Sequence, residues 1–239
     1  MSDELRGKVI LISGATGALG SAVTREFART EARLALTGRS EHKLERLVAE
    51  VGLPAERIFT VPADVTQADG VRDMMEVIVA RFERVDVLLN TVGGWRGDKS
   101  VGETEVEQWE RMLTLNLRSA FLLSRAVLPG MLESGWGRIV HVSSRVAVVP
   151  RARQAGYSVA KMGVITLTEV IAAEVKGSGI TANVILPSII DTPANRKMMP
   201  KADSGKWVEP ERFGATMRFL CSDDAASING ARIPIYGAV

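Results

Sequence analysis

One cysteine, Cys221, and two histidines, His42 and His141, are all the cysteine and imidazole ligands in this 239-residue chain. An internal disulfide is impossible, a cysteine-based metal cluster is excluded, and a metal-free site in a reducing compartment is the expectation. An excess of either charge is also missing, since 30 lysines and arginines against 28 aspartates and glutamates leave a formal +2. So small an imbalance does not make the basic face that phosphate-backbone binding requires, and nucleic acid is not an expected partner. Apolar runs are strand-sized and interrupted by glycine, proline or charge, far short of the ~20 residues of a membrane span, so no membrane partner is expected. The opening residues, Met1–Lys8, pass into Val9–Ile12 without the apolar stretch of a signal peptide, and a cytoplasmic protein is expected. What the chain does have is 46% hydrophobic and 24% charged residues at a mean hydropathy of +0.10, the balance of a globular protein rather than a disordered one.

This length fits one domain spanning residues 1–239, and no repeat, low-complexity tract or linker divides it. Short apolar runs alternate with longer stretches of helical period, the pattern of βαβ units feeding a buried parallel sheet. The spacing predicts seven strands, at Lys8–Ser13, Arg33–Thr37, Arg57–Pro62, Val85–Asn90, Gly137–Ser143, Ile180–Leu186 and Ala231–Tyr236. Helices are predicted at Leu19–Arg29, Glu41–Val51, Ala68–Arg84, Thr104–Glu133 (one helix, or two divided near Asn116), Gln154–Lys176 and Pro210–Cys221. Right-handed crossovers then give a doubly wound α/β fold, mainly parallel, with helices on both faces of the sheet. Thr91–Gly102 and Thr192–Val208 break the rhythm after strands, on the side where such sheets bind ligands, and are candidate substrate loops.

Immediately after the first strand, Ser13–Gly20 (SGATGALG) opens a helix. Gly14, Thr16, Gly17, Leu19 and Gly20 are candidate cofactor contacts. Glycines there allow a tight turn and a close backbone approach to a pyrophosphate, while the helix N-terminus offers unpaired N–H groups to the anion. At the end of the second strand an acidic residue would bond a ribose 2′-hydroxyl and repel a 2′-phosphate. Gly38 occupies that place, and Arg39 follows with donors matched to a phosphate, so NADP(H) is favoured over NAD(H). The plainer alternative is that Arg39 is a solvated surface arginine. Asp64 and Val65 follow the third strand, and Asp64 would either accept from an adenine amino group or cap the next helix. Asn90 and Gly93, in Asn-Thr-Val-Gly after the fourth strand, complete the nucleotide side.

Ser144 follows the fifth strand, and Tyr157 precedes Lys161 by four residues, which puts both on one helix face. An ammonium beside a phenol stabilises the phenolate and is expected to lower its pKa toward neutrality. Tyr157 would then exchange a proton with a substrate oxygen to which Ser144 donates a hydrogen bond, while a nicotinamide exchanges hydride with carbon.

Taken together, these residues resemble the short-chain dehydrogenase/reductase family in its compact single-domain form, nearly end to end. The resemblance implies a Rossmann-like fold and a catalytic set of Asn116, Ser144, Tyr157 and Lys161, with Ser144 selected over Ser143 by its distance of thirteen residues from the tyrosine. It also implies that Tyr157 and Lys161 contact the nicotinamide ribose side and that Asn116 holds a water of the proton relay. The stretch Pro187–Thr192 would hold the carboxamide through the Ile190 backbone and the Thr192 hydroxyl. Three departures stand out: Ala18 where the usual turn has its middle glycine, Val92 in place of an alanine, and Ser188 in place of a glycine. Val92–Trp95 and Asp191–Pro200, inside the two candidate substrate loops, also resemble dihydropteridine reductase, a divergent member of the family that lacks the serine.

Trp95, Arg145, Arg151 and Arg153 are candidate substrate contacts, and Arg96, Arg196, Lys197 and Lys201 add positive charge to the two loops. These cations would suit an acidic substrate or carrier, or would simply be solvated loop charge. The expected partner is a small carbonyl or alcohol, with a 3-oxoacyl thioester the first named candidate and a dihydropteridine the alternative. A non-catalytic dinucleotide sensor or scaffold is the reading from another class, and the intact four-residue set argues against it. The resemblance further implies a homotetramer or dimer, and the apolar tail Ile233–Val239 would be an exposed edge in a monomer.

Overall fold

Successive residues of a strand point to opposite faces, and in the first strand both faces are apolar: Ile10 and Ile12 enter one core, Val9 and Leu11 the other. A strand buried on both sides must lie inside a sheet covered by helices above and below. The structure, a computed structural model, describes residues 4–97 and 99–238. Met1–Asp3 of the opening segment, Asp98 of the first candidate substrate loop and Val239 of the apolar tail lie outside the described residues.

In chain order the elements are β1 (Val9–Ser13), α1 (Ala18–Ala28), β2 (Arg33–Gly38), α2 (Glu41–Val51), β3 (Ile58–Pro62), α3 (Ala68–Phe82), β4 (Val87–Asn90), α4 (Val106–Leu113), α5 (Ser119–Ser134), β5 (Gly137–Val142), α6 (Arg145–Val148), α7 (Ala155–Glu174), β6 (Ile180–Pro187), α8 (Pro193–Met198), α9 (Pro210–Leu220) and β7 (Arg232–Ile235). The seven strands form one parallel sheet in the order β3-β2-β1-β4-β5-β6-β7. Phe27, Leu44, Phe213 and Met217 of α1, α2 and α9 fill one face. Met74, Ile78, Leu123, Met131 and Ile171 of α3, α5 and α7 fill the other. Each such side chain, fully buried, contributes roughly 1.5–3 kcal/mol by leaving water. The order reverses between β1 and β4, so the chain leaves their carboxyl ends in opposite directions and opens a crevice there.

The predicted strands and long helices are present, with ends displaced by no more than two residues. Three local features differ. The segment near Asn116 is neither a break nor a plain helix: Thr114–Arg118 forms a π turn that joins α4 to α5. The short helices α6 and α8 were outside the periodic pattern, being only four and six residues long. Each is started by a local cap, the Ser144 hydroxyl accepting from Val146 N and the Thr192 hydroxyl from Asn195 N. Among the described residues, no helix is long and apolar enough to cross a membrane.

Candidate active site

A cleft of about 850 Å³ occupies the crevice, within the size range of cofactor sites. Gly14, Thr16, Gly17, Arg39, Asp64, Val65 and Gly93 line it as the sequence suggests. Leu19 instead turns into the core, and Gly20 serves packing: a Cβ there would lie 2.1 Å from the Gly14 carbonyl oxygen. Only glycine therefore lets α1 start so close to the turn. Gly17 caps α1 without a side-chain hydrogen bond, so the N–H groups of the first helical turn remain available to an anion. These features fit the pyrophosphate of a dinucleotide. Lys43, in the first turn of α2, and Arg111, near the end of α4, also line the cleft. The sequence reading missed both, although Lys43 stands one helical turn beyond Arg39 and could have been found from that spacing.

Asp64 settles into a local turn. Its Oδ1 accepts from Thr66 N at 3.0 Å and from the Thr66 hydroxyl at 2.7 Å, while Gln67 holds the cap position of α3. The capping alternative is thus excluded.

Beside Gly93, the end of β5, helix α7 and the π turn bring four polar groups together. Ser144 follows β5 and Tyr157 lies in the first turn of α7, with the Ser144 hydroxyl near enough to the phenol to act on its titration. Lys161 is buried one turn further along α7; its Nζ donates to the Val142 carbonyl at 2.8 Å and lies 5.9 Å from the centre of the Tyr157 ring. Ser143, the neighbouring serine, donates to the Lys161 carbonyl at 2.7 Å, so consecutive residues of one strand end hold both the side chain and the backbone of the lysine. In the π turn the Asn116 Nδ2 donates to the Met112 and Gly94 carbonyls, each at 3.0 Å, while its Oδ1 accepts from Gly94 N at 3.1 Å. A Cβ on Gly93 would stand 2.8 Å from Lys161 Nζ and 2.9 Å from Asn116 Oδ1. The lysine and asparagine therefore converge on a place that only a glycine leaves open.

Burial governs the titration of these groups. It lowers the Lys161 ammonium to about 8 and raises the Tyr157 phenol above its ordinary value, with the Ser144 hydrogen bond acting in the opposite direction. The expected lowering of the phenol by the ammonium is not seen, because desolvation outweighs it. The ammonium is itself desolvated and directed at Val142, and Tyr157 rests as a neutral proton donor.

Beneath this cluster His141 is fully buried between Asn90 and Ser124, its ring nitrogens 3.3 Å from Asn90 Nδ2 and 3.0 Å from Ser124 Oγ. Asn90 thus supports the cleft from behind rather than lining it.

Two small recesses flank this cluster. Trp95 and Arg153 share one with Tyr157, and Arg145 and Arg151 share the other with Ser144. Arg196 does not add free charge to the mouth, because it makes a two-bond fork to Asp191 at 2.6 and 2.7 Å. Pro187 ends β6, and Ser188 donates to the Tyr236 carbonyl at 2.6 Å, which gives the serine a use at a position where the family has glycine. Ile190 pairs with Val208, and the Thr192 hydroxyl, accepting from Asn195 N at 3.1 Å, keeps its own hydrogen for donation. Among the described residues, no group of three histidine, cysteine, aspartate or glutamate side chains gathers in metal-binding geometry.

The buried histidine makes stability depend on pH. Burial, reinforced by the Lys161 charge, lowers His141 to about 4, whereas the unfolded ring titrates near 6.5. Between those values the unfolded chain binds a proton that the folded chain refuses, so stability falls as pH falls, by up to about 1.4 kcal/mol per pH unit. Urea unfolding at pH 7 and pH 5 should show this loss in the wild type and a smaller one in His141→Asn; equal losses would contradict the assignment.

Comparison with known proteins follows the same lines. A family model described as short chain dehydrogenase matches residues 8–203. The 3-oxoacyl-[acyl-carrier-protein] reductase of Thermotoga maritima is 33% identical, with 99% of each chain covered. The D-beta-hydroxybutyrate dehydrogenase of Rhizobium meliloti is 31% identical over 96% of this chain and 97% of its own. The D-threitol dehydrogenase of Mycolicibacterium smegmatis is 34% identical over 98% of this chain and 93% of its own. With a glycine-turn cleft, a Ser-Tyr-Lys cluster at its end and similarity along almost the whole length, the chain belongs to the short-chain dehydrogenase family of oxidoreductases.

Proposed function

We propose that the protein is an NADP(H)-dependent oxidoreductase that interconverts a carbonyl and an alcohol, with Tyr157 as general acid and base. The observation that carries this reading is the convergence of Ser144, Tyr157, Lys161 and Asn116 at the end of the cleft beside Gly93. Gly14, Gly17 and the first turn of α1 would hold the pyrophosphate, and the bound nicotinamide supplies or accepts the hydride. Arg39 and Lys43 line the cleft just after β2 and in the first turn of α2, and Gly38 stands where an acidic residue would oppose a 2′-phosphate.

In the direction of reduction, the Tyr157 hydroxyl donates its proton to the carbonyl oxygen as negative charge develops there. The Ser144 hydroxyl donates a hydrogen bond to the same oxygen, and the Lys161 ammonium, held by Val142, stabilises the phenolate left behind. A phenol raised by burial is protonated at neutral pH, which prepares the site for this direction. Asn116, tied to Gly94, keeps the turn beside the lysine in place. Ile190 and Thr192 would contact the carboxamide, while Trp95, Arg145, Arg151 and Arg153 in the flanking recesses would contact substrate. A 3-oxoacyl thioester is the first candidate, supported by the name of the Thermotoga maritima relative. The fold and these groups suit a cytoplasmic enzyme assembled from several copies. Exposed apolar side chains at helical spacing, Phe121 and Leu132 on α5 and Val159, Met162 and Val170 on α7, would meet a second copy.

Three outcomes test the proposal. Tyr157→Phe should lower kcat for 3-oxoacyl reduction by about 10²–10⁴ while leaving the NADPH dissociation constant within about twofold; retained turnover would remove the tyrosine from its role. Arg39→Ala should weaken NADPH binding about tenfold or more and leave NADH binding unchanged, since a charge-assisted hydrogen bond contributes about 1.5–3 kcal/mol; equal effects on both would refute the phosphate contact. Multi-angle light scattering should report a dimer or tetramer, and a monomer at micromolar concentration would refute the assembly.

A further inference from the structure

A directional chain of hydrogen bonds runs behind the catalytic face. The Asn90 Nδ2 has only hydrogens to offer, so His141 Nδ1, 3.3 Å away, is an acceptor. The ring proton therefore sits on Nε2 and is donated to Ser124 Oγ at 3.0 Å, and Ser124 passes its own hydrogen to the Ala120 carbonyl at 2.8 Å. With its amino group turned to the ring, Asn90 presents Oδ1 to the Ser13 hydroxyl at 2.9 Å and to Val92 N at 3.1 Å. The opposite tautomer would set N–H against NH₂ and turn the amide over. Val92 N and the Ser13 hydroxyl would then face donors instead of an acceptor.

Val92 begins the turn that matters most to the site. Thr91, Val92 and Gly93 form one wall of the cleft, Gly93 faces Lys161 and Asn116, and Gly94 exchanges two hydrogen bonds with Asn116. Ser13, at the other branch, ends β1 immediately before the glycine turn. One amide thus links both walls of the cleft, and the ring behind it fixes that amide's orientation.

We propose that His141, with its proton on Nε2, is a positioning residue: by accepting from Asn90 it sets the side-chain amide that holds the Val92–Gly93 wall against Lys161 and the strand end before Gly14. Complete burial and the nearby Lys161 charge keep the ring unprotonated at neutral pH, consistent with this tautomer. The functional consequence rests on the reading that this cleft takes NADP(H).

Two halves of the imidazole can be tested separately. His141→Asn places an amide oxygen near the position of Nδ1, able to accept from Asn90. His141→Gln places its polar end near Nε2, which serves Ser124 and leaves Asn90 without an acceptor. In NADPH fluorescence titrations, His141→Asn should bind within about threefold of the wild type and His141→Gln about tenfold or more weaker. Similar dissociation constants for the two variants, or tenfold weakening in His141→Asn, would overturn the proposal. Nitrogen-15 spectra of the ligand-free wild type at pH 7 provide a readout that needs no variant: the chain has two histidines, His42 is exposed, and the buried ring should show the Nε2–H tautomer. An Nδ1–H signal would overturn the proposal even if His141→Gln fails to fold. If the wild type bound no NADPH, the cofactor reading would fall, and the positioning role would be decided by the tautomer and by Val92 and Gly93 amide shifts in the two variants.

Discussion

A buried ammonium sets the terms for the rest of the site. Taking a charged lysine head out of water costs several kcal/mol even after the protein relaxes, and Lys161 meets that cost with a short bond to the Val142 carbonyl and a pKa lowered to about 8. A Cβ at residue 93 would displace its head, and Ser143 anchors α7 at the Lys161 carbonyl. Tyr157 then inherits its place from the helix turn that the lysine pins. The neutrality of His141 follows from the same charge and the same exclusion of water.

The parallel sheet makes this arrangement reachable from distant parts of the sequence. β1, β4 and β5 are neighbours in space, so Ser13, Asn90 and His141 can share one hydrogen-bond chain although up to 128 positions separate them by number. Parallel strands end on the same side, which gathers the glycine turn, the Asn90–Gly93 turn and Ser144 at one rim. The π turn adds a local adjustment: it gives Asn116 carbonyl partners on both its own helix and the Gly94 loop. An uninterrupted α-helical ladder is given up where a side chain is needed as a bracket.

What could be read from the chain was what local pattern encodes. Two-sided apolar runs marked the strands, and 3.6-residue periods marked the long helices, because burial repeats with the geometry of the element. Gly14–Gly20 and the Tyr157–Lys161 interval were legible for the same reason: each is a short-range requirement written in consecutive residues. The π turn was read only as a discontinuity at Asn116, since nothing local distinguishes a five-residue hydrogen-bond pattern from a break. His141 passed unnoticed as chemistry because its partners come from β4 and α5. The rise of the Tyr157 pKa was missed because a helix-face argument counts the ammonium and omits desolvation, which here dominates. Asp64 offered two explanations, and the fold excludes the helix cap, because its carboxylate closes a turn with Thr66 while Gln67 caps α3.

Carbonyl reduction by the buried cluster at the expense of NADPH is the reaction proposed for this site. Its most direct test follows absorbance at 340 nm with NADPH and separately with NADH, against a 3-oxoacyl thioester, simple ketones, quinones and a quinonoid dihydropterin corrected for its spontaneous decay. NADPH should be oxidised faster than NADH, with the thioester among the carbonyl compounds turned over. Faster oxidation of NADH, or no enzyme-dependent oxidation of either cofactor by any compound in the panel, would contradict it.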